Sequence, residues 1–190
     1  MGQSSLDPEY FAQVYADTSD PWNFATSSYE NEKYRRTIEA LDGRRFARGF
    51  EIGCSIGVLT ALLAQQCDAL LSIDVNERAL EAARVRCAPL PKVSFELMTF
   101  PHSVPAGRFD LIEISEVAYY WSDADLSAAI DFAARAAAGG TVELVHFLPK
   151  VDDYVRDGDA VHAAFLADSR FAVQRSERAD KYRIDVLRVR

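Results

Sequence analysis

The chain has 190 residues, 49% of them hydrophobic, and a formal net charge of -8. That length supports one substantial core and predicts a single domain. The acidic balance argues against a nucleic-acid partner, whose phosphates call for Lys and Arg, and leaves a neutral or cationic small molecule as the better match. Arg44, Arg45 and Arg48 form the one basic cluster and read as a solvated loop. Cys54, Cys67 and Cys87 lack CxxC spacing, so neither a disulfide frame nor a zinc site is expected. The opening MGQSSLDPEY lacks a basic-then-apolar signal pattern, and no apolar run approaches the roughly 18 residues that span a bilayer. Gly2 alone is a weak acylation signal and is set aside. A reduced, cytoplasmic chain is expected, without membrane attachment, monomeric or homodimeric.

In chain order, residues up to about 28 are rich in aromatics and turn formers, among them Tyr10, Phe11, Tyr15, Pro21, Trp22 and Phe24. The spacing of Tyr34, Ile38 and Leu41 predicts a helix from Tyr29 to Leu41, ended by Asp42-Gly43. GFEIG reads as a short buried strand, and Val58–Gln66 as a helix with Leu59, Leu62 and Leu63 inward. LLSID reads as a strand, Glu77–Cys87 as a helix stopped by Pro89 and Pro91, and VSFEL as a strand. After the irregular TFPHSVPAGR, the run FDLIEISEV is too continuously apolar for a strand with one exposed face. A helix over Asp123–Ala138 is predicted with Ser122 as N-cap and Gly139-Gly140 closing it. TVELVHFL is a strand, Asp159–Ala167 a helix, and FAVQRSERA with YRIDVLRVR an antiparallel pair.

Strands alternating with helices predict an α/β fold, a mostly parallel sheet with helices on both faces. Ligands in such sheets bind beyond the carboxyl ends of the strands. That rule selects Gly53 to Gly57, Asp74, Leu97 to Thr99, Ser115 to Tyr120 and His146, which are expected to converge on one cleft.

The stretch Glu51-Ile52-Gly53-Cys54-Ser55-Ile56-Gly57 decides between cofactors. A dinucleotide turn, G-x-G-x-x-G, requires glycine at 55 and 58; Ser55 and Val58 stand there, so a nicotinamide or flavin cofactor is disfavoured. S-adenosylmethionine carries no phosphate, and the looser E/D-x-G-x-G-x-G fits with one departure, Ser55. Serine is small, although it takes φ > 0 less readily than glycine. Asp74 follows Gly53 by 21 residues at a strand end. It either accepts from ribose hydroxyls or caps the next helix.

The segments EIGCSIGVLT, LLSIDVNERALEAAR and RFDLIEISEVAYYW resemble the class I S-adenosylmethionine-dependent methyltransferases. DPWNFATSSYENEKYRRTIEAL, SEVAYYW and HFLPKVDDYVRDGDAVH are similar to the nodulation protein S family, N-methyltransferases of deacetylated chitooligosaccharides, over roughly residues 7 to 165. The resemblance implies a three-layer Rossmann-like fold with a seven-stranded sheet, its last strand antiparallel. It implies a helical lid over residues 1–45 on a core of residues 46–190, with Trp22, Tyr29 and Lys33 as lid candidates at the cofactor. Carried over, the turn of Glu51, Gly53, Cys54, Ser55 and Gly57 holds the methionine portion, Asp74 and Val75 the ribose, and Met98 and Thr99 the adenine, with Ser115 completing the set. Many class I enzymes place an Asp where Met98 and Thr99 stand, so backbone contacts and methionine packing replace a carboxylate here.

Methyl transfer to an amine needs alignment and removal of one proton. Glu116, His146 and Tyr120 are the catalytic candidates: Glu116 as cation binder or base, His146 as base by its ordinary pKa, and Tyr120, or its neighbour Tyr119, directed at the acceptor. Asp153, Tyr154, Asp159 and His162 form a polar segment suited to a sugar. No metal is called for. The reading is a small-molecule N-methyltransferase, with an amino sugar as acceptor. Alternatives are an O-methyltransferase on another small metabolite and a non-catalytic module that binds the cofactor.

Overall fold

The computed structural model describes residues 4–190; Gly2 lies outside the described residues. Two compact units divide the chain after Thr99: Asp7–Thr99, and Phe100–Arg190 together with the N-terminal residues through Leu6.

The unit Asp7–Thr99 begins with α1 (Pro8–Val14), which the sequence reading did not single out. Its start is locally encoded: Asp7 accepts from the Tyr10 N–H, and Pro8 fills the first helical position, where no N–H is needed. Ser27 caps α2 (Ser28–Ala40) in the same way. There follow β1 (Phe46–Ile52), α3 (Val58–Leu63), β2 (Cys67–Asp74), α4 (Glu77–Arg86) and β3 (Val93–Leu97). β1 pairs parallel with β2 and β2 with β3, in a register that sets Ile52 beside Ile73 and Asp74 beside Leu97. Phe50, Leu70, Ile73 and Leu80 are fully buried.

β1 and β2 both start earlier than their apolar runs. Each opens with a buried residue and two exposed ones, Phe46-Ala47-Arg48 and Cys67-Asp68-Ala69, before four or five buried positions. Arg48 is therefore a strand residue rather than part of a loop. Arg45 pairs with Asp68, and the Arg44 guanidinium donates to Leu41 O. The basic cluster is thereby resolved into local contacts.

The second unit contains β4 (Leu111–Ser115), a 3-10 turn (Ala118–Tyr120), α5 (Asp123–Ala136), β5 (Thr141–Phe147), α6 (Gly158–Leu166), β6 (Phe171–Arg178) and β7 (Tyr182–Val189). β4 and β5 are parallel; β7 runs antiparallel to both β5 and β6, with a bulge between Val173 and Arg175. β4 stops at Ser115, earlier than its apolar run suggests, because Glu116 turns to φ 58. Ser122 caps α5 as expected, accepting from Asp125 N. The seven strands form one sheet in the order β3-β2-β1-β4-β5-β7-β6, mostly parallel with the last strand antiparallel.

Candidate functional site

β1 ends in a bend whose two amides, Gly53 N and Cys54 N, both donate to Ile73 O, at 2.8 and 2.9 Å. The bend holds three left-handed residues: Gly53 at φ 79, Ser55 at φ 48 and Gly57 at φ 77. A side chain at Gly57 would stand 3.0 Å from the Ala83 backbone, so α4 packs directly against this glycine. Ser55 adopts the conformation that its glycine counterpart would take freely, at a cost of about 1–2 kcal/mol for a residue with a Cβ. Two contacts hold it there. Its N–H donates to Asp74 Oδ2 at 2.8 Å, and its hydroxyl shares a 2.6 Å hydrogen bond with Tyr15.

Asp74 accepts from Ser55 N on one oxygen and from Asn76 N at 3.0 Å on the other. Burial pushes its pKa up to about 6, against the lowering effect of those backbone donors. The helix-capping alternative is excluded, since Asn76 caps α4 by accepting from Ala79 N. Val75 belongs to the same short link, and Met98 N donates to Asp74 O at 3.0 Å, so the half-buried Met98 and Thr99 begin beside the Asp74 backbone.

Two residues expected at the cofactor point elsewhere. Glu51 Oε2 accepts from the hydroxyls of Thr60, at 2.7 Å, and Ser72, at 2.6 Å; buried beneath the bend, it ties β1 to α3 and β2. Burial pushes its pKa up to about 7, against both hydroxyl bonds. The Cys54 side chain packs on Leu80, Ala83 and Phe95, so only its backbone belongs to the bend.

Of the lid candidates, Trp22 reaches the bend: it stacks on Phe24, meets Tyr15 edge-on and packs on the cluster of Tyr15, Ile56 and Ala79. Lys33 lies over the Tyr29 ring at 5.2 Å and pairs with Glu30 at 2.9 Å, all three on α2. Sequence reasoning gave no role to Tyr15, Asn76 or Arg78. Of these, only Asn76 carried a local signal, as a capping residue type two positions beyond a strand end.

In the second unit, Glu116 follows Ser115 at the end of β4 in a left-handed conformation. Its N–H donates to Val145 O; its Oε2 accepts from the Tyr119 hydroxyl at 2.6 Å and from Phe147 N at 3.0 Å. Tyr119 stacks on Tyr154 at 4.2 Å, and Tyr120 meets both rings edge-on. Burial, then the charge of Glu116 and the neighbouring hydroxyls, push the Tyr119 pKa well up; burial and Tyr154 do the same for Tyr120. Both remain hydrogen-bond donors near neutrality.

His146 departs from its expected role. It is fully buried, and its Nε2 accepts from Ala118 N at 3.3 Å, which engages the lone pair a base would use. The proton of the neutral ring then lies on Nδ1, which meets His162 Nε2 at 3.2 Å; His162 Nδ1 donates to Asp185 Oδ2 at 2.7 Å. His146 thus anchors the 3-10 turn that carries Tyr119 and Tyr120. Asp159 pairs with Arg178 and Arg183, whereas Tyr154, from the polar segment expected at a sugar, joins the Glu116 group. Among the described residues no group of three His, Cys, Asp or Glu could hold a metal ion, and no helix is long and apolar enough to cross a membrane.

The family model of nodulation protein S matches residues 11–139. The chain belongs to the nodulation protein S family. It is 33% identical to nodulation protein S of Bradyrhizobium diazoefficiens over 106 residues, 55% of this chain and 50% of that protein. Against the Rhizobium tropici protein it is 29% identical over 123 residues, 64% of this chain and 52% of that one. The chain thus spans about half the length of the curated nodulation protein S relatives it matches. Among solved structures, it superposes with a TM-score of 0.84 on N-methyltransferase NodS from Bradyrhizobium japonicum WM9 in complex with S-adenosyl-l-homocysteine. That match covers 97% of this chain and 99% of the other at 23% identity, and it shows the class I methyltransferase fold. A candidate methyltransferase from Pseudomonas syringae is 35% identical, with a TM-score of 0.73, over 86% of this chain and all of that one.

Proposed function

We propose that the chain is an S-adenosylmethionine-dependent N-methyltransferase acting on a small-molecule amine, a deacetylated amino sugar or oligosaccharide. The observation that carries this reading is the pairing of the small-residue bend with Asp74. Backbone N–H groups of Ser55, Asn76 and Val75 act on the Asp74 carboxylate, whose oxygens have four lone pairs between them, so acceptor capacity remains for a ribose hydroxyl. The family supports the amine, since the NodS structure is that of an N-methyltransferase in complex with S-adenosyl-l-homocysteine; the sugar rests on the sequence resemblance alone.

In this reading Gly53, Ser55 and Gly57 keep the backbone open to the methionine portion, Asp74 and Val75 hold the ribose, and Met98 and Thr99 flank the adenine. Trp22 covers the bend, and Tyr29 and Lys33 of α2 are the further lid residues. The bound cofactor supplies an activated methyl on a sulfonium. The residues at the end of β4 handle the acceptor. Ser115 leads into Glu116, which Tyr119 and Phe147 N orient; Glu116 binds the cationic amine and takes its proton, freeing the nitrogen lone pair for in-line attack. Tyr120 lines the same group. The net charge of -8 favours a cationic acceptor. Three buried, free cysteines suit a reducing cytoplasm.

The test is conversion of S-adenosylmethionine to S-adenosylhomocysteine with a panel of amines that includes partly deacetylated chitooligosaccharides. Turnover is expected on a primary amine, and Glu116→Gln should lower kcat by roughly 10²–10⁴-fold with little change in S-adenosylhomocysteine affinity. Binding without turnover on any amine would instead identify a cofactor-binding module.

A further inference from the structure

We infer that Tyr15 is a positioning residue for the nucleoside end of the site: its hydroxyl holds Ser55 in the left-handed conformation that aims the Ser55 N–H at Asp74. The inference rests on the cofactor reading above only for its consequence in binding; the geometry is independent of it.

Ser55 is the one residue of the bend at positive φ that carries a side chain. With glycine there, the conformation would be reached without steric strain; with serine, something must oppose relaxation. The Tyr15 hydroxyl lies 2.6 Å from Ser55 Oγ. Tyr15 is itself fixed at three points. Its N–H closes α1 onto Phe11 O at 3.0 Å. Its carbonyl and that of Ala16 both accept from Arg78 Nη1 of α4, at 2.8 and 2.6 Å. Its ring is buried against Ile56 and Ala79 and meets Trp22 edge-on. A phenol so anchored is a rigid post, and burial with the nearby Asp74 charge keeps it protonated.

The chain of consequence is short. Tyr15 fixes Ser55 Oγ; the fixed Ser55 presents its N–H to Asp74 Oδ2 at 2.8 Å; the oriented carboxylate receives the ribose. The serine departure from the glycine pattern and the tyrosine 40 residues before it are therefore one device. A tyrosine that merely satisfied its own buried hydroxyl would make no difference to a glycine bend or to a serine bend.

A double-mutant cycle separates the two. S-adenosylhomocysteine affinity is measured by calorimetry for the parent, Y15F, S55G and Y15F/S55G, alongside amide hydrogen exchange of residue 55 without ligand. Y15F should weaken binding roughly tenfold, the affinity equivalent of one hydrogen bond, and speed exchange of the Ser55 amide. In the S55G background the same change should matter by less than about twofold. Should Y15F fold poorly, S55A removes the same bond from the bend side and should reproduce the loss. Equal losses in both backgrounds, or an unaltered Ser55 amide in Y15F, overturn the inference. A parent chain that ignores S-adenosylhomocysteine overturns the cofactor reading, while the exchange measurement still decides whether Tyr15 holds Ser55.

Discussion

In the proposed cofactor site, Asp74 is the side chain that would set the pH range of binding. Ribose hydroxyls donate to an ionised carboxylate, and burial has moved this one up to about 6. Protonation removes a lone pair and the charge, so affinity should be level above about pH 7 and fall as pH drops through 6. Calorimetry with S-adenosylhomocysteine between pH 5 and 8 measures this. Asp74→Asn should bind more weakly at neutral pH, on the order of 1–3 kcal/mol, and show a level profile; a parent profile level down to pH 5 would exclude Asp74 from the ribose. The place of Asp74 at the end of β2, beside the bend, was legible in the sequence, because a strand-end acid a fixed distance beyond a glycine bend is a local pattern. Ser55 was legible as a departure, but its remedy was not: Tyr15 sits 40 residues earlier with no periodicity linking the two. The partners of His146 were not legible for a similar reason. A histidine at a strand end looks like a base until Ala118 N and His162, itself bonded to Asp185, are seen on its two nitrogens.

At the scale of elements, α4, β3 and α5 matched their sequence patterns closely because caps and apolar spacing are local signals. β1 and β2 extend beyond their apolar runs, since each opens with one buried and two exposed residues before the continuous apolar stretch. α1 was passed over although Asp7-Pro8 is a start signal, because aromatics crowd the segment without a helical stripe. Element packing is tested by two glycines of similar backbone conformation. Gly43, at φ 66, has nothing within 4 Å of where a Cβ would stand, whereas a Cβ on Gly57, at φ 77, meets Ala83 Cα and Cβ at 3.0 Å. Gly43→Ala should cost about 1–2 kcal/mol in urea unfolding, the left-handed penalty alone. Gly57→Ala should cost roughly 1–3 kcal/mol more, because α4 must move away from the bend. Equal losses would mean that α4 yields freely and that its contact with the bend carries no stability.

For the molecule as a whole, stability is bounded from both sides by acids buried with opposite effect. Burial raises the pKa of Asp185, but bonds from His162 and Ser176 and the nearby Arg183 more than offset it and leave it lowered. Its contribution is therefore present above the unfolded pKa and lost as pH falls through the lower folded value. Glu51 has the opposite sign. Raised from 4.5 to about 7, it favours the fold fully below its unfolded value, and that advantage is lost as pH rises to 7 and beyond. At about 1.4 kcal/mol per pH unit, ionising it inside the fold costs roughly 3 kcal/mol. Glu51→Gln keeps an oxygen to accept from Thr60 and Ser72 but has no proton to lose. The difference in unfolding free energy between variant and parent should therefore change in favour of the variant by roughly that amount between pH 4.5 and 8. Titrating groups that do not interact with Glu51 are common to both chains and cancel, and Asp74, which does, shifts in the parent alone. Curves that stay parallel across that range would show that Glu51 ionises in the folded chain as it does in the unfolded one, and that the two hydroxyls fully replace the water it has lost.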